Sequence, residues 1–501
     1  MSNVPSDWEV VIGLEVHVQL HTRAKVFASS PWGFGKEPNE QVDPVVLGLP
    51  GTLPVVNREA VEKSILFGLV VGAEIPERCA WDRKNYFYPD NPKNYQLTQK
   101  DFPVVVGGQV EIELPGASRN VMGEHKFIRI HHAHLEEDVG KLSHAGSGSL
   151  VDYNRAGVPL LEIVTEPDLR SSAEAEAFLR SLVAMLTQAG VADCDMEKGQ
   201  LRCDCNVSVR RRGAEKLGTR TETKNLNSIS SVRDTVIYET ARQIRELEAG
   251  RSITQETRGW NAELARGYVL RDKEDAHDYR YFPDPDIPTL KISHETIARL
   301  AKQVPENLYD RQRRYVEKLG LPYTAASVLV NDRALAEWFE AAVAAHPANP
   351  SGIANLVAND LLRDLAASAG AAGAFDEAAS APVSLASCPI KPAQLAGLVK
   401  LTDDGVISKQ QAKEVFTEMF KTGQDAAAIV DAKGLRQNSD TGELEKIVQE
   451  VIADPAVAKS IAEYRAGNEK AINALKGPIM KRTQGKANPV LIDQLLRKFL
   501  A

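Results

Sequence analysis

Alternating apolar and polar residues mark a clear predicted strand near the start of the chain, at residues 8–21. Valine, isoleucine and leucine occupy its even positions from Val10 to Leu20. Side chains of a strand point alternately to its two faces. The even positions are therefore predicted to enter the core, and Glu15 and His17 to project together from the opposite face.

A second alternating segment covers residues 201–209. Its apolar face carries Cys203 and Cys205, which this position predicts to be core thiols and not metal ligands. Its polar face carries Asp204 and Asn206. The next alternating segment predicts a further strand with a charged face, formed by Arg220, Glu222 and Lys224.

Helical periodicity appears between these strands and dominates the rest of the chain. A capping-box pattern at Ser171 and Glu174 predicts a helix that ends at Gly190. Another predicted helix ends at Gly250, and the last one begins at Pro489. The apolar stripe of the helix before Gly250 is predicted to consist of Val232, Val236, Ile237, Ala241, Ile244 and Leu247. Strand-like runs up to about residue 290 and helical patterns beyond it predict an α+β protein.

The composition fits a chain of several domains with a large core. Its 501 residues predict about three domains. We find no apolar stretch of about 18 residues and no signal-peptide pattern, so we expect a cytoplasmic protein without a membrane anchor. Five scattered cysteines do not predict a disulfide framework. The net charge of −8 argues against nucleic-acid binding by the surface as a whole.

The C-terminal segment departs from this acidic balance. Residues 455–501 contain nine Lys or Arg against three Asp or Glu. A solvated helical face would account for the excess. A surface that contacts nucleic-acid phosphates would account for it equally well.

Acidic residues within apolar strands are the first candidates for chemistry. Glu162 lies inside the apolar run Leu160–Val164, where a carboxylate is costly to bury without a cation or hydrogen-bond donors. Together with Glu15 and His17, it could form an oxygen-rich site of the kind that Mg²⁺ prefers. For Glu15 alone, a polar residue on a solvated sheet face is the simpler interpretation.

The tyrosine-rich segment Asp82–Gln96 is the second candidate. It combines Lys84 and Lys93 with three tyrosines, Tyr86, Tyr88 and Tyr95. Cations and aromatic hydroxyls can hold phosphates and stack a base. A surface loop with structural aromatics is the alternative.

Several other motifs are absent or not favoured. The neighbouring histidines His131, His132 and His134 do not have a known zinc spacing and cannot all point the same way. The sequence contains no Walker A motif and no protein-kinase motif set. It has no cysteine in a glutaminase context, so nothing predicts that this chain releases ammonia itself.

Blocks in order along nearly the whole chain resemble the B subunit of the aspartyl/glutamyl-tRNA amidotransferases, the GatB family. The tyrosine-rich block is the most specific of them. The resembling blocks are Gly13–His17, Leu49–Asn57, Asp82–Asp90, Leu135–Asp138, Gly199–Asp204, Lys224–Asn227, Asp278–Pro283, Ile479–Lys481 and Gly485–Pro489.

The resemblance implies a three-part architecture. Residues 1–294 would form a cradle domain around an antiparallel sheet, with the kinase and transamidase site. Residues 295–407 would form an all-α helical domain. Residues 408–501 would form a small helical tail that resembles the YqeY protein and contacts the tRNA.

The resemblance also implies a carbon–nitrogen ligase with glutamine as amido donor. ATP would phosphorylate Glu or Asp misloaded on tRNA(Gln) or tRNA(Asn), and ammonia would then displace phosphate. The ammonia would come from a glutamine-hydrolysing amidase subunit, GatA, in a heterotrimer with a small subunit, GatC. The sequence does not say which misacylated tRNA is the substrate in the cell. A non-catalytic tRNA-binding scaffold subunit is the alternative. The related E subunit is disfavoured because this length leaves no room for its extra domain.

Site residues are carried over from the family position by position. Lys84, Glu15 and Glu137 are expected to be catalytic, with Lys84 stabilising the transferred phosphoryl group. ATP is expected to contact Lys84, Tyr86, Tyr88 and Lys93. The expected Mg²⁺ ligands are Glu15, His17, Glu137 and Glu162, with Asp204 and Asn206 for a second cation. No zinc is expected, because Phe27–Ser30 and Val42–Val46 lack the cysteines that many relatives carry there.

Overall fold

The computed structural model describes residues 4–118, 120–272, 278–368, 385–436, 441–483, 487 and 489–500. The chain divides into two compact units, Met1–Arg311 and Gln312–Ala501. The first unit is mixed α/β and the second is helical. The domain boundaries expected at residues 294 and 407 stay a prediction. The block Gly485–Pro489 lies partly outside the described residues.

Strands occur in the first unit, where most of them join one sheet. Their bounds are β1 (Trp8–Gln19), β2 (Arg78–Cys79), β3 (Asp82–Asn85), β4 (Tyr95–Thr98), β5 (Val105–Val106), β6 (Gln109–Glu113), β7 (His125–Glu137), β8 (Lys141–Ala145), β9 (Gly148–Asp152), β10 (Pro159–Thr165), β11 (Leu201–Arg211), β12 (Thr221–Leu226), β13 (Glu256–Asn261), β14 (Arg266–Asp272), β15 (Phe282–Pro283) and β16 (Leu290–Lys291).

The main sheet has nine strands within the described residues. Its order is β14-β13-β12-β11-β1-β10-β7-β5, and β6 also pairs with β7. Every pair is antiparallel except β12 with β13. Smaller groups are β15-β3-β4, β16-β2 and the hairpin β8-β9. Strand β1 thus lies in the middle of the sheet, between β10 and β11.

The core explains why β1 and β11 take these positions. All even residues of β1 from Val10 to Val18 are buried, and Leu20 beyond its end is buried as well. Cys203 and Cys205 lie fully buried on the apolar face of β11, as predicted. Burying one row of each strand fixes its register, because a shift by one residue would turn the whole row toward the other face.

Helices pack on this sheet in the first unit. Their bounds are α1 (Arg58–Val70), α2 (Ser172–Gln188), α3 (Ile229–Glu248) and α4 (His294–Ala301), and α5 (Leu308–Glu317) crosses the unit boundary. The predicted start of α2 is confirmed, since the Ser171 hydroxyl accepts a hydrogen bond from the Glu174 backbone N–H at 3.1 Å. Helices α2 and α3 pack against each other, and α3 packs against β11.

The predicted stripe of α3 was partly wrong. Ile237 and Ala241 are exposed. They lie off the buried row at helical spacing, and polar residues occupy that row instead. Glu239 accepts a hydrogen bond from the Thr221 hydroxyl at 2.6 Å, and Gln243 donates to the Val207 carbonyl at 3.0 Å. Hydrogen bonds to the sheet therefore replace apolar contacts along this part of α3.

The second unit contains two groups of packed helices. Their bounds are α6 (Tyr323–Val330), α7 (Arg333–Ala345), α8 (Pro350–Leu356), α9 (Leu362–Ser368), α10 (Pro392–Asp403), α11 (Lys409–Thr422), α12 (Ala426–Ala432), α13 (Thr441–Ile452), α14 (Ala458–Arg465), α15 (Asn473–Arg482) and α16 (Pro489–Leu500). Helix α10 packs against α7, α11 and α12, whereas α13 packs against α15 and α16. The latter group has an apolar core of its own, which includes Leu444, Val448, Leu475, Ile479, Ile492 and Leu496. None of the helices described here is both long and apolar enough to cross a membrane.

We predict that Ile12→Ala lowers the free energy of unfolding of the first unit by about 2–5 kcal/mol, because it leaves a cavity under the sheet. Ile237→Ala makes the same chemical change at a residue that is 37% exposed, and should cost less than about 0.5 kcal/mol. Urea denaturation followed by circular dichroism measures both. Equal losses for the two variants would contradict the assignment of the core.

Candidate active site

The polar face of β1 meets polar residues of both neighbouring strands. His17 lies directly opposite Glu162 of β10 on one side and Arg202 of β11 on the other. Glu15 lies opposite Asp204. Directly opposed residues of an antiparallel pair project from the same face, so these side chains share one surface of the sheet.

Side chains from β1 and β7 meet the carboxylate of Glu162 on β10. The Nε2 atom of His17 lies 3.2 Å from a carboxylate oxygen of Glu162, and that of His134 lies 3.5 Å from the same oxygen. His134 also lies 3.7 Å from a carboxylate oxygen of Glu136. Ligand atoms of His17, Glu136 and Glu162 all lie within 4.8 Å of one another.

Within this first acidic group, formed by His17, Glu136 and Glu162, the charges of His17 and Glu162 shift each other's pKa. Burial lowers the pKa of His17, but the hydrogen bond and the negative charge of Glu162 outweigh it and raise that pKa to about 9. Burial raises the pKa of Glu162, but the nearby His134 and His17 outweigh this effect. The pKa of the Glu162 carboxyl therefore lies well below its usual range. A buried carboxylate that keeps its charge beside imidazoles has the donor chemistry for a divalent cation.

A second acidic group lies beside the first and consists of Glu15, Asp204 and Glu222, whose ligand oxygens also lie within 4.8 Å of one another. Burial raises the pKa of Glu15, and the carboxylates of Glu162 and Glu222 add to this effect. The Lys224 ammonium lies 2.9 Å from both Asp204 and Glu222. The Asn206 amide donates to Glu15 at 2.9 Å. Lys224 therefore offsets part of the negative charge of this group.

Lys84 of β3 adds a cation near the first acidic group. Burial opposes its charge, but the carboxylates of Glu136 and Glu162 outweigh that effect and raise the pKa of Lys84. Its ammonium lies 5.1 Å from the ring centre of Tyr279, a cation–π contact. Lys84 thus stays positively charged beside the carboxylates, where it could bind an anionic substrate.

Tyr86 and Tyr88, which were predicted to contact ATP, differ in their exposure to solvent. Tyr86 is partly buried and its ring meets that of Tyr279 edge-on, with 6.2 Å between ring centres. Burial, with Asp90 and Glu136 nearby, raises the pKa of Tyr86, so its hydroxyl stays neutral. Tyr88 is exposed.

Glu137 was among the predicted ligands, but the structure does not bring it to this group. It follows Glu136 in β7, so its side chain projects to the other face of the strand. There it forms a buried ion pair with Lys93 and accepts a hydrogen bond from the Leu97 backbone N–H at 3.0 Å. Both Glu137 and Lys93 are therefore engaged away from the acidic groups.

The structure adds four residues to the site that the sequence analysis did not assign to it, namely His134, Glu136, Glu222 and Lys224. His134 and Glu136 were available from the pattern, because they share a face of β7 at a spacing of two. Glu222 and Lys224 belong to a strand whose charged face was recognised without a role. These four residues all lie on strands next to β1 or one strand further away.

Asp43 joins the segments Phe27–Ser30 and Val42–Val46, neither of which contains a cysteine. Its carboxylate accepts hydrogen bonds from the backbone N–H groups of Ser30, at 3.1 Å, and Val46, at 2.9 Å. Phe27 packs edge-on against Trp81, with 5.8 Å between ring centres. A carboxylate and an aromatic contact thus hold this part of the chain.

Comparisons with known proteins agree with this architecture. A family model described as the GatB/GatE catalytic domain matches residues 10–298, and a model named GatB_Yqey and described as a GatB domain matches residues 337–500. The chain is similar to proteins named as the B subunit of aspartyl/glutamyl-tRNA(Asn/Gln) amidotransferase. That of Opitutus terrae is 52% identical over 497 residues, which cover 99% of each chain. That of Carboxydothermus hydrogenoformans is 47% identical over 500 residues, again 99% of each.

A further relative of the same name, from Persephonella marina, is 45% identical over 99% of this chain and 100% of its own. These matches cover 99% of this chain and therefore span both units. The chain therefore belongs to the GatB family, the B subunits of the aspartyl/glutamyl-tRNA(Asn/Gln) amidotransferases.

Proposed function

We propose that this chain carries the kinase and transamidase site of a tRNA-dependent amidotransferase. ATP phosphorylates the side-chain carboxylate of Glu or Asp misacylated on tRNA(Gln) or tRNA(Asn), and ammonia then displaces phosphate to give the amide. The observation that carries the proposal is the convergence of His17, Glu136 and Glu162 from three strands, with the Lys84 ammonium nearby.

The acidic groups are proposed to bind the cation that accompanies the nucleotide. His17, Glu136 and Glu162 would form one position, and Glu15, Asp204 and Asn206 would contribute to another. Mg²⁺ held there would neutralise charge on the nucleotide phosphates. No zinc is included, since Phe27–Ser30 and Val42–Val46 lack cysteine ligands and Asp43 joins these segments by hydrogen bonds.

Lys84 is proposed to stabilise the phosphoryl group during its transfer, because its charge is held in place by burial and by two carboxylates. Tyr86 and Tyr88 are proposed to frame the nucleotide. No protein base is required for the first step, since a substrate carboxylate is already ionised at neutral pH. Lys93 and Glu137 are left out of nucleotide and cation binding because they pair with each other.

The alternative is a non-catalytic scaffold that only binds tRNA. It is less well supported, because burying three ionisable side chains together costs free energy that a scaffold has no reason to spend. Ammonia is proposed to come from a glutamine-hydrolysing amidase subunit, with a small third subunit in the complex. A cytoplasmic location belongs to this proposal.

The C-terminal helices are proposed to contact tRNA phosphates. Four of the cations counted in residues 455–501 pair with carboxylates, namely Lys476, Arg482, Arg497 and Lys498. Four others are exposed and have no acidic partner among the described residues, namely Lys459, Arg465, Lys470 and Lys481. Unpaired surface cations are the groups that neutralise phosphates.

We predict that His17→Ala and Glu136→Gln each lower ATP-dependent amidation of misacylated tRNA at least about 100-fold, because each removes a cation ligand. The assay uses the complex with the amidase and small subunits, and measures amidated aminoacyl-tRNA. Glutamine hydrolysis by the partner should continue in both variants.

His21→Ala is the matched control for His17→Ala, since His21 lies just beyond the end of the same strand with a side chain 65% exposed. Its activity should equal that of the unchanged protein. Amidation at a normal rate by Glu136→Gln would contradict the first acidic group as the cation site.

A charge-neutralised tail tests the tRNA contact. We predict that replacing Lys459, Arg465, Lys470 and Lys481 together by Gln weakens tRNA binding. The slope of log affinity against log salt should fall by about 0.7–0.9 for each phosphate that the protein no longer neutralises. Filter binding at several salt concentrations measures both quantities.

Four exposed lysines of the rest of the chain provide a control with the same change in net charge. They are Lys36, Lys216, Lys302 and Lys318. Their replacement by Gln should leave the salt slope nearly unchanged. An equal effect of the two quadruple variants would assign the weaker binding to net charge alone and refute the tail contact.

A further inference from the structure

Arg202 neighbours one member of each acidic group, although neither group includes it. It stands directly opposite His17 in the pairing of β1 with β11. Asp204, two residues further along β11, shares its face. The Arg202 side chain is 21% exposed, so it lines the site surface without reaching far into solvent.

Asp138 holds one edge of the Arg202 guanidinium. An Nη atom of Arg202 donates to Asp138 at 3.0 Å. The other oxygen of Asp138 accepts from the side-chain amide of Gln19, also at 3.0 Å, and the Val139 backbone N–H donates to this carboxylate at 2.9 Å. Arg155 also lies 3.6 Å from this carboxylate. Three hydrogen bonds and a second guanidinium therefore fix the position of the Asp138 carboxylate.

The rest of the guanidinium remains available. In the described part of the chain, the bond to Asp138 is the one hydrogen bond that Arg202 donates. A guanidinium carries several N–H donors in a rigid fork. An arginine needed only as a counter-ion for Asp138 would not have to share the polar face of the sheet with His17 and Asp204.

We propose that Arg202 is a further catalytic residue, which donates hydrogen bonds to oxygens of the phosphoryl group as it is transferred. Asp138 is the positioning residue that orients it. The inference rests on the proposed kinase function. Arginine suits this role because its planar fork matches the phosphate oxygens. Its charge also offsets the repulsion between phosphates and the nearby carboxylates of Glu136 and Asp204.

The step balances without a proton transfer to Arg202. The bond between the terminal phosphorus of ATP and its bridging oxygen breaks, and ADP leaves with the electron pair. A carboxylate oxygen of the tRNA-bound amino acid forms the new bond to phosphorus. Arg202 keeps all its protons and stabilises charge on the equatorial oxygens, in the way that arginine acts in other phosphoryl transfers.

The test measures misacylated-tRNA-dependent ATP hydrolysis by the complex with the amidase and small subunits. Arg202→Ala should lower kcat by about 100-fold or more, the effect of removing one transition-state donor, while KM for ATP changes little. Added guanidinium ion should restore part of the missing kcat. Arg202→Lys keeps a cation beside Asp138 but lacks the fork, and should lower kcat at least about 10-fold.

Arg210→Ala is the matched control. Arg210 lies on the same strand and face, is 20% exposed, and pairs with Glu9 at 2.6 Å. It should retain normal kcat and gain nothing from guanidinium ion. A normal kcat for Arg202→Lys would overturn the proposal, and so would a folded Arg202→Ala that guanidinium ion does not restore. If Arg202→Ala fails to fold, the lysine variant decides. A complex of unchanged sequence that hydrolyses no ATP with misacylated tRNA would instead refute the proposed kinase function.

Discussion

The buried aliphatic row of β1 is the constraint on which the candidate site depends. Because Val10 to Val18 fill the core on one face, Glu15 and His17 have no other direction than the opposite face. The neighbouring strands lock onto this register, which places Glu162 on one side of His17 and Arg202 on the other. A hydrophobic pattern thus determines the positions of charged groups that are far apart in sequence.

A cation lies beside each acidic group on the polar face of the sheet. Each acidic group has a cationic neighbour, Lys224 of β12 at the second group and Lys84 of β3 near the first. These cations offset part of the electrostatic cost of burying several carboxylates together. In the proposed kinase, such a site would be assembled before substrate arrives, and little reorganisation would remain for the reaction itself.

The sequence predicted the strands and the polar face of β1 because both depend on a period of two, which is visible in one segment at a time. The family motif led to Glu137 as the predicted ligand, whereas the structure brings Glu136 to His17. The strand period of two, which places His134 and Glu136 on one face, would have indicated Glu136. The contact of Lys224 with Asp204 could not be predicted. It depends on the register of β11 with β12, which shifts between Cys203 and Cys205. On α3, Ile237 was predicted to be buried because it is apolar. Its position around the helix axis, which places it outside the buried row, was not taken into account.

The central place of β1 has a consequence for synthesis of the chain. Its partners β10 and β11 lie far downstream, so that the hydrogen bond between Asn206 and Glu15 spans 191 residues. During translation the first strand emerges from the ribosome with its aliphatic row exposed. Its partner β10 follows only after about 150 further residues, and β11 after about 190. Such long-range pairing is slow and leaves nascent chains prone to aggregation. Molecular chaperones that shield extended apolar segments would therefore act on the earliest part of this polypeptide.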